Sequence, residues 1–144
     1  MKWLVITLCF LLIGCARRHP IEDARAVIKS HEAFAKAGDL EGVVSNVADD
    51  VVVLTPDTML VTGKPAFRTF YAWTLSSGSW EFYHEFEGTD VEGDAAIVFG
   101  LVRGSLTRRD STVTLFSNNF LMILRYQSDG KMKFWRIAYT PSSR

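Results

Sequence analysis

The sequence predicts an α+β domain, with helices gathered early and long antiparallel strands late. Three observations carry this. Residues 21–39 place Ala24, Val27, Ile28, His31, Phe34 and Ala35 at helical spacing. Residues 80–92 alternate, with Trp80, Phe82, His84 and Phe86 on one face and Glu81, Tyr83, Glu85 and Glu87 on the other. Turn signals at 92–94, 108–111 and 128–131 then divide the remainder into strands over 95–107, 112–126 and 131–140.

The elements follow in order. Residues 1–14 read as a secretory signal, with one cation at Lys2 and an apolar run from Trp3 to Ile13. Such a run is too short to cross a bilayer comfortably. Leu12-Ile13-Gly14-Cys15 resembles the lipobox of bacterial lipoproteins, which implies lipidation of Cys15. Residues 15–20 then form a short tether, and residues 21–144 the domain. In the domain, Gly38 is expected to cap the first helix. Asp39 is expected to N-cap a second, from Leu40 to about Ala48. A strand over 51–54 runs into a loop from Pro56 to Gly63. Pro65 suits the first turn of a third helix, ending near Leu75.

Composition narrows the function. The 144 residues carry 16 Lys plus Arg against 16 Asp plus Glu, so no excess of positive charge favours nucleic acid. The two cysteines are Cys9, inside the signal, and Cys15. Removal of the signal and lipidation of Cys15 would leave no free thiol for a disulfide, thiol catalysis or a cysteine-bound metal. Ala16 after the lipid site, by resemblance to enterobacterial lipoproteins, implies an outer-membrane location facing the periplasm of a bacterial envelope.

The segments "AGDLEGVVSNVADDVVVLTPD", "GKPAFRTFYAWTL", "VEGDAAIVFG" and "SDGKMKFWRIAY" resemble the nuclear transport factor 2-like superfamily. The nearest flavour is its SnoaL-like branch. The likeness spans about residues 22–140. It implies a cone-shaped fold, with three N-terminal helices packed on a strongly curved, mostly antiparallel sheet around a pocket. Superfamily members include isomerases, cyclases, dehydratases, ligand-binding proteins and assembly adaptors, so the fold alone names no activity.

The resemblance to ketosteroid isomerases can be tested residue by residue. Their proton-abstracting carboxylate falls on Thr55, and the tyrosine of their oxyanion hole falls on His31. Their protonated aspartic acid falls on the strand near Phe120–Met122, which offers no carboxylate. Threonine is no base near neutral pH, so this chemistry is not expected. Asp57 remains nearby, and the residues fit a turn around Pro56 better than a base.

The expected pocket comprises His31, Thr55, Tyr71, Trp80, Phe82, His84, Phe99, Asn118 and Phe120. His31, Asp57 and His84 are the candidate catalytic groups. Arg103, in phase with Ile97, Phe99 and Leu101, is read as a strand end in solvent, and Arg136 is also read as solvated. No tight histidine spacing points to a metal, and no cofactor is expected. The resulting expectation is a lipid-anchored domain that binds a small apolar molecule or an envelope protein. The alternative is an enzyme of the cyclase, isomerase or dehydratase type using His31 with Asp57 or His84. A homodimer through the sheet face is a further expectation.

Overall fold

A computed structural model describes residues 18–57 and 59–142. The expected signal segment and Cys15 lie outside the described residues. Helix α1 (Pro20–Lys36) opens the chain. Pro20 suits its first turn, and Glu22 and Asp23 meet the positive end of its dipole. One stripe of α1, comprising Ala24, Ile28, His31, Glu32 and Ala35, is buried. Gly38 takes a left-handed φ of 70°, which lets the chain leave the helix. Asp39 then caps α2 (Leu40–Ser45) by accepting a 2.9 Å bond from the Gly42 N–H.

Strand β1 (Val47–Leu54) follows at once, then β2 (Leu60–Thr62), α3 (Lys64–Ser76), β3 (Ser79–Glu92), β4 (Ala95–Thr107), β5 (Val113–Tyr126) and β6 (Met132–Pro141). The six strands form one sheet in the order β2-β1-β6-β5-β4-β3. Every neighbouring pair is antiparallel except β1 and β6. The expected α+β class and mostly antiparallel sheet are present. The three helices do not all precede the sheet, because α3 follows β1 and β2.

Three local expectations needed correction. Helix α2 stops at Ser45 rather than near Ala48, because Asn46 O accepts the Phe134 N–H at 2.9 Å and Val47 already pairs with Phe134. Strand β1 therefore runs through Asp49 and Asp50, which point outward. Asp50 accepts from the Trp135 indole at 2.9 Å and from Arg125 at 2.9 Å. Arg136 is not simply solvated. It lies 4.0 Å over the Trp135 ring and donates to the Asp50 carbonyl at 2.8 Å. This cluster sits where the β5–β6 register shifts and explains two adjacent charges on a sheet strand.

The inner sheet face carries Phe82, His84, Val98, Val102, Phe120, Met122, Leu124, Phe134 and Ile137, with α1 and α3 packed over the sheet. On β4 the buried phase is Ala96, Val98, Gly100 and Val102. Phe99 is thus on the outer face, a correction to its expected pocket position. Its ring covers Gly88, where an added Cβ would come within 2.2 Å of it. Gly100 sits opposite the bulge between Phe86 and Gly88. A Cβ at Gly100 would lie 2.0 Å from the Glu85 carbonyl oxygen. Glycine and bulge together let β3 and β4 bend.

Gly100→Ala should therefore cost at least about 2 kcal/mol in urea unfolding, since backbone must move to admit the methyl. Gly130→Ala, at φ 78° with open space around it, should cost only about 1 kcal/mol. Equal costs would show that the close approach at Gly100 does not constrain the sheet.

Candidate functional site

Between α3 and the curved inner face lies a cavity of about 290 Å³. Its size is near the lower end of small-molecule pockets, which run from roughly 300 to 1,000 Å³. Helix α3 contributes Phe67, Phe70, Tyr71, Thr74 and Leu75. The sheet contributes Val53 and Thr55 from β1 and its end, Trp80 and Phe82 from β3, Val102 and Leu106 from β4, and Phe116 and Asn118 from β5. Ile137 and Tyr139 close it from β6. Trp80 braces one wall: its indole donates to Thr74 O at 2.9 Å, and its ring meets Phe116 edge-on at 5.7 Å.

Of the expected pocket residues, Thr55, Tyr71, Trp80, Phe82 and Asn118 line this cavity. His31, His84 and Phe120 are buried but are not among its lining residues. They form the layer beneath it. The His31 Nε2 shares a 2.7 Å hydrogen bond with the Tyr71 hydroxyl, so His31 reaches the cavity only through Tyr71. His31 also meets Phe134 edge-on, and its Nδ1 has no hydrogen-bond partner among the described residues. Phe120 packs edge-on against the His84 ring at 5.0 Å.

His84 is paired with a residue that sequence reasoning missed, Glu32. One Glu32 oxygen accepts both the His84 backbone N–H at 2.7 Å and its Nδ1 at 2.8 Å. A carboxylate can only accept, so Nδ1 carries the proton. Lys29 closes on the same carboxylate at 3.0 Å from solvent. The available signal was spacing: Glu32 stands four residues after Ile28 and continues the buried stripe Ala24–Ile28.

Asp57 is held in the turn. It accepts a short hydrogen bond from the Thr55 hydroxyl, and Thr55 also bonds Met59 through its amide at 2.9 Å. Asp57 is exposed and absent from the cavity wall. That hydrogen bond lowers its pKa and keeps it a carboxylate. Arg103 faces outward beside Glu85, at 3.7 Å.

The electrostatics of the buried layer are set by dehydration. Burial, reinforced by His84 and opposed by Glu32, pushes the His31 imidazole down to about 3. Burial also pushes the Tyr71 and Tyr139 phenols well above their usual range. Burial alone would raise Glu32, but the bonds from His84 and Lys29 outweigh it and hold the carboxyl down to about 2. The cavity thus presents two neutral phenols, an amide and the hydroxyls of Thr55, Thr74 and Thr114 on an otherwise apolar wall. It can donate hydrogen bonds to one uncharged polar group. No carboxylate of the described residues lines it.

Both titrations oppose acid in the same direction. An unfolded His31 takes up a proton as pH falls below the ordinary imidazole value of 6.5, whereas the folded one resists until about 3. Stability is therefore lost from pH 6.5 downward on its account. Glu32 contributes stability above 4.5 that is lost as pH falls toward about 2. His31→Gln, whose amide can still bond Tyr71, should flatten the fall in urea-unfolding free energy between pH 6.5 and 4.5 and leave, below 4.5, a shallower loss that includes the Glu32 share. An unchanged slope above pH 4.5 would show that His31 is not held neutral by burial.

Comparisons agree with this architecture. A ketosteroid isomerase-like protein from Erwinia carotovora atroseptica superposes with a TM-score of 0.77 at 18% identity, covering 89% of this chain and 100% of that one. A conserved protein from Planctomyces limnophilus gives 0.77 at 23% identity, covering 87% and 100%. A dehydratase candidate of the NTF2-like family from Streptomyces avermitilis gives 0.73 at 16% identity, covering 87% and 98%. At these identities the likeness shows the fold alone. No curated protein matches the sequence. The SnoaL-like domain model matches residues 27–135, well over half of the sequence, and the chain belongs to that family.

Proposed function

We propose that this chain is a lipid-anchored protein of a bacterial envelope whose SnoaL-like domain binds a small, uncharged, mainly apolar molecule. The observation that supports this most is the chemistry of the cavity wall. Aromatic and aliphatic side chains dominate it, and its few polar groups are neutral donors and acceptors. Such a wall favours an apolar body with one carbonyl or hydroxyl, and disfavours ions that would be stripped of water without a counter-charge. Ketosteroid isomerase chemistry is not proposed, because Thr55 stands where the base would be. The membrane location rests on the Leu12–Cys15 motif and the Ala16 that follows.

A second reading, an enzyme of the cyclase, isomerase or dehydratase type, is favoured by one observation. The His31–Tyr71 hydrogen bond aims a buried imidazole at the cavity through a phenol. In this arrangement Asp57 and His84 are already engaged by Thr55 and Glu32. Turnover that survives in both His31→Ala and His84→Ala would end that reading. The outer sheet face, with Tyr83, Phe99 and Leu121 exposed, supports a second copy of the chain as a partner. A monomer mass at micromolar concentration would remove it.

Binding is tested by titrating the soluble domain with the uncharged fluorescent probe N-phenyl-1-naphthylamine. Thr114 is an exposed residue on the cavity wall, so Thr114→Trp should obstruct the cavity while leaving the core intact. The expected result is at least a tenfold weaker probe affinity, about 1.4 kcal/mol, at unchanged unfolding midpoint. Equal affinity in the two proteins would place probe binding elsewhere and count against the cavity as a ligand site.

A further inference from the structure

We infer that the cavity opens away from the membrane that holds the lipid anchor, so that its ligand is a small water-borne molecule and not a lipid drawn from that bilayer. This rests on the anchored, ligand-binding reading above.

The geometry comes from the two ends of the sheet. At one end the start of the described chain is fastened down. Arg18 pairs with Asp94 in the β3–β4 turn at 2.8 Å and lies 4.6 Å over the Tyr126 ring. Asp23, on the first turn of α1, accepts from the Tyr126 hydroxyl, and the Tyr126 N–H donates to Asp94 O at 3.3 Å. The β5–β6 turn, where Gln127 bonds Lys131, lies at this same end. Cys15 is three residue steps from Arg18, which is at most about 11 Å of extended chain. A lipid on Cys15 therefore keeps this end at the membrane.

The cavity is at the other end. Helix α1 runs away from Arg18 and finishes where Lys36 meets Glu81, 3.7 Å apart at the start of β3. The wall residues Trp80, Leu106 and Thr114 are register partners at the start of β3, the end of β4 and the start of β5. Thr55 and Tyr139 reach it from the far ends of β1 and β6. From Ala95 to Leu106 the β4 strand traces roughly 36 Å of contour at about 3.3 Å per residue. With the tether attached at the Arg18 end, a domain standing on its anchor holds the cavity end clear of the bilayer by most of that length. The cavity volume of about 290 Å³ agrees, since a two-chain lipid reaching through roughly 15 Å of leaflet would not fit it.

The test uses the full chain, processed in a bacterial host and reconstituted in phosphatidylcholine vesicles with nitroxide-labelled headgroups. A fluorophore is placed on Ser128→Cys, in the exposed β5–β6 turn, or on Leu115→Cys, which is 79% exposed near the cavity end of β5. The unsubstituted chain should take no thiol label, because Cys15 carries lipid. Label on Ser128→Cys should lose most of its fluorescence, and label on Leu115→Cys should keep it. Quenching at Leu115→Cys, or at neither position in vesicle-bound protein, overturns the orientation while the anchor stands. A chain that labels at Cys15 and does not float with vesicles removes the anchored reading, and the orientation with it.

Discussion

The structure turns on one buried contact, the Glu32 carboxylate shared by the ring and backbone N–H groups of His84. It joins the inner stripe of α1 to the middle of β3. Two side chains that are almost fully buried are tied through the Glu32 carboxylate, His84 Nδ1 and Lys29, while His84 Nε2 has no hydrogen-bond partner among the described residues. Removing one member of such a pair typically costs about 3–5 kcal/mol, because the other is left dehydrated and unpaired. The contact also fixes the rotation of α1. With Glu32 locked to β3, the preceding residue His31 must face α3, where Tyr71 meets it. The polar layer under the cavity is therefore a consequence of how the first helix is held.

Above that layer the protein has an apolar cavity whose polar groups are neutral. The strand ending at Thr55 shows how this was reached. The threonine hydroxyl is used twice within its own turn, toward Asp57 and Met59, and so stiffens the lip of the cavity. Its neighbour Asp57 is drawn outward by the same bond. The two positions nearest the strand end thus supply structure, and the charge stays in water. A wall of this kind suits retention of an uncharged molecule better than proton abstraction near neutral pH.

Some of this could be read from sequence and some could not, for identifiable reasons. Strand β3 alternates aromatic with acidic residues, so Trp80, Phe82 and His84 could be read onto one face, but alternation alone did not say whether that face meets the helices or a second copy. Strand β4 is apolar on both faces, and its inner face includes Gly100 and Gly104, so counting apolar residues put Phe99 on the wrong side. Strand β2 has three residues and no flanking pattern, and its existence depends on pairing with Val52–Leu54. Asp49 and Asp50 hid the first half of β1, because their partners Lys64, Arg125 and Trp135 are distant in sequence. His31 and His84 were expected to share one pocket. Each instead has its own partner, and the glutamate that separates their roles lay beside His31 unremarked.

The central proposal is that the cavity holds a small uncharged molecule, and the most direct measurement is native mass spectrometry of the protein purified gently from the cells that make it. The account predicts a folded species carrying one additional small mass, lost on collisional activation and absent from Thr114→Trp. A bare unsubstituted protein from those cells would contradict it.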